Sequence, residues 1–288
     1  MAAAAARPRQ LTVRQRQLAN QLRTIRESRG LTLEAVEHLT GITTAKLSRL
    51  ELAKTPAKPA DVDKIARAYE CDDKLRESLV AVARDGNKRG WWFNYLDVLP
   101  PWLADQISLE SSATSFRTFQ VQLIPGLLQT ADYARAAINR LAIGASPEDV
   151  EARVRVRRER QAVLTQPNPL EMWAVIHETA LRSLVGGEAT MRGQLEKLQE
   201  LAVLPNVTIQ VMPSETGVHQ GMNGPFSILG FPGSDLDVVL LEGLLTSEWV
   251  EDPQRVSVFD RAFREIAAEA WPVDQSINFI TEQKDRLK

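Results

Sequence analysis

The chain has 288 residues, enough for two domains, with 44% hydrophobic and 25% charged residues as in ordinary globular proteins. No apolar run approaches the roughly 20 residues needed to cross a bilayer, and the first residues lack the apolar core of a signal peptide, so secretion is not expected. The single cysteine, Cys71, excludes an internal disulfide and a multi-cysteine metal site, and we expect a protein of the reducing cytoplasm.

Charge is divided unevenly along the chain. Residues 1–90 carry 18 Lys and Arg against 11 Asp and Glu, whereas residues 91–288 carry 17 against 26. A basic first third joined to an acidic remainder predicts that only the first part contacts DNA.

A disordered basic arm is predicted over residues 1–14. Arg7 and Arg9 flank Pro8 within it. Such an arm either follows DNA phosphates or is a tail without a role.

Residues 15–29 are predicted to form the first helix of a DNA-binding domain that spans residues 15–88. Its apolar side is formed by residues at helical spacing, namely Leu18, Leu22 and Ile25. Arg23 and Arg26 lie on the other sides, where they either contact the DNA backbone or face solvent.

Two short helices around a tight turn are predicted over residues 30–51. Thr32 is a suitable N-cap for the first, because its hydroxyl can accept a free backbone N–H. Gly41 interrupts the apolar pattern where a sharp turn needs a permissive residue. The apolar face of the first helix is predicted from residues at three-residue spacing: Leu33, Val36 and Leu39.

The second of these helices is predicted to be capped by Thr43 and buried through Leu47 and Leu50. Its other face is short, polar and basic, as in a recognition helix that lies in the major groove. A plain helical hairpin is the alternative interpretation.

The stretch GLTLEAVEHLTGITTAKLSRLE resembles the Cro/repressor type of helix-turn-helix, the XRE family, whose core usually reads close to LTQEELAxxTGISxSTISRIE. The matching positions are Leu31, Thr32, Gly41, Ile42, Ser48, Arg49 and Glu51. The sequence departs at Leu33, where the family usually has a Gln that contacts DNA, so one expected polar contact is missing. The resemblance implies a DNA-binding regulator.

DNA contacts are expected mainly from the second helix of this motif. Residues 44–46 would contact bases, Arg49 a base or a phosphate, and Thr43 and Ser48 phosphates. Arg23 would set the position on the duplex. The full predicted DNA-binding set is Arg23, Thr32, Thr43, Thr44, Ala45, Lys46, Ser48 and Arg49.

Two further helices are predicted over residues 59–70 and 73–84. With the first three they make a five-helix domain. That is the number of helices implied by the resemblance to repressor domains.

Aromatic residues are concentrated in a connector predicted over residues 89–107. Trp91, Trp92, Tyr95 and Trp102 lie there, and such density should not face free solvent. The segment either packs into the second domain or between the two domains, or it lines a ligand pocket or a partner groove.

Residues 108–288 are predicted to form an α+β domain that senses a signal or binds a partner. Residues 108–119 are predicted as a helix, and residues 146–165 as an arginine-rich helix that is either exposed and salt-bridged or docks an acidic partner. A small sheet of about four strands is predicted, from residues 170–177, 206–212, 225–231 and 236–242. The predicted fold class is therefore mainly α with a smaller α+β part.

The second half also carries a resemblance, in the runs RTFQVQLIPGLLQTADYARA, HETALRSLVGG, LAVLPNVTIQVMP, NGPFSILGFP and VEDP. These runs are similar to a large uncharacterised domain that follows XRE motifs in many regulators of actinobacteria. Such regulators are often described as antitoxin-like, and many are encoded beside a small protein. The resemblance implies a small co-encoded protein as a candidate partner.

Signals of catalysis are weak. His177 and Glu178 form a candidate acid/base pair, and His219 lies in a glycine-rich loop over residues 214–224. No GxSxG, HExxH or P-loop motif accompanies them. We expect no enzyme, no catalytic residue, no cofactor and no metal.

The sequence thus predicts a cytoplasmic, sequence-specific transcriptional regulator that binds double-stranded DNA as a homodimer. Its second domain would receive either a protein partner or a small ligand. The candidate residues for that role are Trp91, Trp92, Tyr95, Trp102, His177 and His219. The alternative function is an antitoxin-like interaction protein that neutralises a small partner and binds DNA for autoregulation.

Overall fold

The computed structural model describes residues 11–85, 90–95, 97–232, 236–243 and 247–287, in two compact units, Met1–Gly90 and Trp91–Lys288. The predicted arm lies outside the described residues as far as residue 10, but Val13 and Arg14, also assigned to it, are buried in the first helix, so the predicted boundary at residue 14 is wrong. The first helix begins at Val13, because the Thr12 hydroxyl caps it by accepting from the Gln15 backbone N–H at 3.3 Å.

The first unit has five helices among its described residues, in agreement with the prediction. They are α1 (Val13–Ser28), α2 (Leu33–Thr40), α3 (Thr44–Glu51), α4 (Pro59–Ala68) and α5 (Asp73–Asp85). Their apolar faces meet in one core, because the chain places a leucine, isoleucine or valine at helical spacing on each. The largest fully buried side chains there include Leu18, Leu22, Leu47, Ile65 and Leu79.

The second unit combines seven described α-helices with a sheet. The helices are α6 (Pro101–Glu110), α7 (Ala131–Leu141), α8 (Pro147–Arg160), α9 (Glu178–Arg182), α10 (Glu188–Leu201), α11 (Pro253–Glu269) and α12 (Val273–Asp285). Short 3-10 helices occur at Trp91–Tyr95, Gly126–Leu128, Gln161–Leu164, Ser214–Thr216 and Gln220–Asn223. None of the helices in the described part of the chain has both the length and the apolar character to span a membrane.

The sheet is mixed and has six strands, so the prediction of about four strands is wrong. The strands are β1 (Ser115–Gln120), β2 (Glu171–His177), β3 (Val207–Met212), β4 (Phe226–Gly230), β5 (Val238–Glu242) and β6 (Ser247–Val250). Their spatial order is β3-β2-β1-β4-β5-β6. The first three strands are parallel, and β4, β5 and β6 pair antiparallel.

The two strands that the sequence did not reveal are β1 and β6. Most of β1 falls within residues 108–119, which were predicted as a helix. Phe116 and Phe119 are three residues apart, which is typical of a helix face, but in the strand they lie on opposite faces of the sheet and both are buried. Pairing with β2 and β4 overrides the local pattern. β6 has only four residues, too few to show a clear alternation.

Helix α8 also differs from the prediction of an exposed, salt-bridged helix. It packs against α7 and against the segment Trp91–Tyr95, so residues on more than one side of it are buried. Arg160 is only 5% exposed. Because apolar residues alternate with arginines along α8, the sequence shows no simple helical stripe.

The two faces of the sheet are covered differently. On one face, Phe119, Val175 and Phe226 pack under α11, where Phe263 and Ile266 complete an apolar core. On the other face, β1 and β4 present polar side chains toward α6 and α8.

Candidate nucleic-acid interface

The helix-turn-helix is shaped by the side-chain caps that the sequence predicts. The Thr32 hydroxyl accepts a hydrogen bond from the Ala35 N–H at 3.2 Å, and the Thr43 hydroxyl accepts one from the Lys46 N–H at 3.4 Å. Between them, Gly41 ends α2 with a φ of 71°, in the left-handed region that favours glycine. The turn therefore has the conformation that the motif requires.

A further cap joins α2 to α3. The Glu37 carboxylate accepts from the Thr44 backbone N–H at 2.9 Å, at the start of α3. A negative charge there also meets the positive end of the helix dipole. This contact fixes the angle between α2 and α3, and its only signal in the sequence is an acidic residue one turn before the glycine.

The apolar face of α2 is narrower than predicted. Val36 is fully buried, but Leu39 is 60% exposed. Each residue turns a helix by about 100°, so Leu33 and Leu39 lie roughly 120° apart around α2. The prediction that Leu39 faces inward is therefore wrong.

The end of α3 is held by a buried charge network around Glu51, which is 6% exposed. Arg26 of α1 donates to the two Glu51 carboxylate oxygens from Nε at 2.8 Å and from Nη2 at 2.9 Å. The Tyr69 hydroxyl, just after α4, donates to Glu51 Oε1 at 3.2 Å. Two other parts of the first unit, α1 and the residue after α4, are thereby tied to the end of α3.

Two members of this network, Tyr69 and Arg26, are also affected by their wider surroundings. Burial raises the pKa of Tyr69 well above its ordinary value, so its hydroxyl remains a donor at neutral pH. Arg26 also donates from Nη1 to the Leu31 carbonyl at 2.8 Å. Its guanidinium is therefore engaged inside the unit, and neither of the two roles expected for Arg26 applies.

The buried and exposed sides of α3 are clearly separated. Leu47, Leu50 and Glu51 are buried, whereas Ala45 and Arg49 are exposed. Thr43, just before the helix, is also exposed, and Thr44, Lys46 and Ser48 are partly buried. The predicted contacts thus lie on one accessible face or along its edges.

Lys46 has a partner within the unit. Its Nζ lies 2.7 Å from an Asp61 carboxylate oxygen of α4. Arg23, predicted to set the position on DNA, is exposed, and its Nε lies 2.8 Å from Glu27 on the next turn. Thr32 is exposed as well as capping α2.

The aromatic segment belongs to the second unit. Trp92 is buried with Leu103, Ile107 and Val156, and Trp91 and Tyr95 pack against the same cluster. Trp102 lies on α6 and lines a cavity between α6, α8 and the sheet.

His177 and Glu178, the candidate acid/base pair, do not contact each other through their side chains. The Thr179 N–H donates to His177 Nδ1 at 3.2 Å, so that nitrogen caps α9. The Glu178 carboxylate accepts instead from the Ser214 N–H at 3.2 Å and from Arg182 Nη2 at 3.1 Å. Burial lowers the pKa of His177, which favours the neutral ring.

His219 has a similar capping role. Its Nδ1 accepts from the Gly221 N–H at 3.1 Å. Its ring lies edge-on to Phe119, with the ring centres 5.9 Å apart. Both histidines therefore have structural contacts at the edge of the sheet where the parallel strands end.

Each of the two units contains a match to a known protein family. Residues 103–282, more than half of the chain, match the family described as Domain of unknown function (DUF5753). The chain belongs to the DUF5753 family. Residues 17–79 of this DUF5753 protein match the family described as Helix-turn-helix domain, over the residues whose caps are described above. Comparisons with curated proteins and with solved structures gave no match.

The helix-turn-helix match supports a DNA-binding regulator, whereas the DUF5753 match names no activity. Sequence reasoning missed Glu37 and the role of Glu51 in the first unit. In the DUF5753 part it missed the polar cavity, because its lining residues are distant in the chain.

Proposed function

We propose that this protein is a sequence-specific transcriptional regulator whose α3 enters the major groove of DNA, while the DUF5753 part receives a signal. The observation that carries this proposal is the accessible face of Thr43, Ala45 and Arg49, opposite a side buried by Leu47 and Glu51. The basic balance of residues 1–90 adds the electrostatic attraction that phosphate requires.

The contacts would be divided along α3. Residues 44–46 would reach base edges, and Thr43 and Ser48 would contact phosphates. Lys46 would exchange Asp61 for a base edge, and Arg49 would contact a base or a phosphate. Arg23 and Thr32 would fix the position of the unit on the backbone.

A single module of this kind binds weakly, so we propose a homodimer on an inverted repeat. The XRE-like sequence of the motif supports this reading. Because Glu178 points to Ser214 and Arg182 rather than to His177, we propose no catalytic role for that pair.

The resemblance of the second half to regulators encoded beside a small protein favours a second candidate function. In that case the DUF5753 part would bind a small co-encoded protein and neutralise it, and DNA binding would serve autoregulation. A small neighbouring gene whose product binds the purified chain would support this function. Absence of such a neighbouring gene would leave transcriptional regulation as the only candidate function.

The test of the proposed function is a fluorescence-anisotropy titration of the full chain against its upstream intergenic DNA and a scrambled duplex, at two salt concentrations. We expect tighter binding to the native duplex, weakened by Arg49→Ala but not by Arg67→Ala, since Arg67 is an exposed arginine on α4. Equal, salt-sensitive binding to both duplexes would reduce the function to non-specific phosphate contact.

A further inference from the structure

A polar cavity of about 120 Å³ lies within the second unit, between α6, α8 and the sheet. A more apolar space of about 260 Å³ adjoins it. The two spaces share six lining residues: Trp102, Leu103, Leu123, Arg157, Arg160 and Glu242. Together they form one site with a polar part and an apolar part.

The floor of the polar part is unusual for a covered sheet face, which normally carries apolar side chains. Thr118 of β1 is fully buried, and its hydroxyl lies 2.9 Å from the Ser227 hydroxyl of β4. Gln120 donates from Nε2 to Thr118 Oγ1 at 3.1 Å. Their hydrogen bonds offset the free energy of burying these groups, and a few fixed polar groups on a cavity wall are typical of a ligand site.

One end of the cavity is built on a satisfied ion pair. Arg160 donates to Glu110 from Nη2 at 2.6 Å and from Nε at 2.9 Å, and both side chains are at most 5% exposed. Gln106 donates to the same Glu110 carboxylate at 2.9 Å. Glu110 therefore neutralises the Arg160 charge and holds that side chain in place on the cavity wall.

Two other charges face the cavity without an ionic partner among the described residues. The Arg157 guanidinium makes one hydrogen bond, from Nη1 to the neutral Gln129 side chain at 2.7 Å. The Glu242 carboxylate, at the end of β5, makes no side-chain hydrogen bond or ion pair to any described residue. Arg157 and Glu242 line both parts of the site, yet they do not contact each other.

The electrostatics agree with this geometry. Burial, followed by the nearby Arg160, lowers the pKa of Arg157 to about 10, so the guanidinium is still cationic at neutral pH. Burial raises the pKa of Glu242, and the two arginines oppose that shift. Part of Glu242 stays exposed to solvent, so its desolvation is incomplete. The Arg157 cation and the Glu242 carboxyl group thus face one space from separate positions.

We propose that this cavity binds a small zwitterion of the amino-acid class, with its carboxylate on Arg157, its ammonium on Glu242 and an apolar side chain in the adjoining space. Ala137, Ile138, Leu141 and Val156 line that space. A ligand with only a carboxylate would leave Glu242 without a partner, and a ligand with only an amine would leave Arg157 without an anion. This proposal names the signal that the proposed function leaves open. Only an effect of the ligand on DNA binding rests on that proposed function.

The test is isothermal titration calorimetry of the full chain with L-valine, L-leucine, L-methionine and L-phenylalanine. N-acetyl-L-leucine lacks the ammonium and L-leucinamide lacks the carboxylate, so both serve as matched probes. We expect at least one of the four amino acids to bind, and both leucine derivatives to bind about tenfold or more weakly than that amino acid. No binding of any of the four to the folded chain, or equal binding of the derivatives, would overturn the proposal.

Variants locate the site. Glu242→Gln keeps the shape of an accessible side chain, and Arg157→Lys keeps the charge but not the planar donor pair. Each is expected to weaken binding about tenfold, whereas the exposed controls Glu248→Gln and Arg158→Gln leave it unchanged. Unchanged binding in Glu242→Gln would overturn the proposal even if Arg157→Lys folds poorly.

DNA titration with and without the bound amino acid separates this proposal from the proposed function. A chain that binds the amino acid but no duplex would refute the regulator and leave the site in place. A chain that binds its duplex but none of the amino acids would refute the site alone.

Discussion

Substitution of Glu51 by Gln tests the buried network that holds the end of α3. Removing one partner of a buried ion pair costs about 3–5 kcal/mol. The glutamine side chain would keep one acceptor oxygen, and Arg26 is 13% exposed, so some water can reach its guanidinium. We therefore expect Glu51→Gln to lower the unfolding free energy of the first unit by about 2–3 kcal/mol. For a unit of this size that corresponds to a Tm lower by roughly 10–20 °C.

The assay uses the distribution of tryptophan. All six tryptophans lie after residue 90, so tryptophan fluorescence reports on the second unit, while far-UV circular dichroism reports on both. Glu51→Gln should shift an early circular-dichroism transition and leave the fluorescence transition in place. Comparison of the two signals in one sample identifies the unit that unfolds.

A double variant provides the control. Replacing Arg26 by Met together with Glu51 by Leu removes both charges, and apolar replacement of a buried pair is often neutral. Tyr69 then loses an acceptor and Leu31 loses a donor, so the double variant should recover more than half of the loss without reaching the original stability. A Glu51→Gln variant within about 0.5 kcal/mol of the original chain, or a double variant less stable than the single one, would refute the reasoning.

Three further predictions concern single side chains. Gly41→Ala places a Cβ at a φ of 71° with no atom within 4 Å, so backbone strain alone should cost about 1 kcal/mol, measured as a lower Tm of the first unit. Arg49→Ala should reduce the slope of log affinity against log salt by about one if Arg49 contacts a phosphate, with Arg67→Ala as the matched control in the same anisotropy assay. Burial lowers the pKa of His177, so the stability it contributes is present above about pH 6.5 and lost as the pH falls through the lowered value. His177→Asn, which can still accept from the Thr179 N–H, should therefore lose less tryptophan-monitored stability than the original chain between about pH 7.5 and pH 5.5.

Each of these predictions has a result that contradicts it. An unchanged Tm in Gly41→Ala would mean that the turn relaxes to another conformation. Equal slopes of log affinity against log salt in Arg49→Ala and the original chain would show that Arg49 makes no phosphate contact. His38→Asn serves as the control, because His38 lies in the other unit. If His177→Asn shows the same dependence of stability on pH as this control and the original chain, groups other than His177 carry the acid sensitivity.

Local features of the helix-turn-helix were predictable because their causes are local. Thr32, Gly41 and Thr43 act on backbone groups within three residues, so the sequence shows them directly. The Glu51 network joins residues 25 and 18 positions apart, and a matching glutamate in the motif gave its position but not its burial. Tertiary contact, not pattern, decides such a role.

The second unit shows where sequence reasoning ends. Strands β2–β5 were predictable from their apolar, β-branched residues, whereas β1 was not, because its two buried phenylalanines lie at helical spacing. Arg157 was assigned to an exposed helix, and Glu242 to the end of a strand without a role. Only the fold brings them to one cavity, together with side chains of α6, β1 and β4.

The most direct test of the central claim is selection of binding sites from a randomised duplex library by the full chain, followed by footprinting of the selected duplex. We predict convergence on an inverted repeat with half-site centres about one helical turn, or a multiple of it, apart, and protection of guanine N7 in the major groove of each half-site. Arg49→Ala should select poorly from the same library. Failure of the folded chain to enrich any sequence, or protection confined to the backbone without a sequence preference, would contradict the claim that α3 reads DNA.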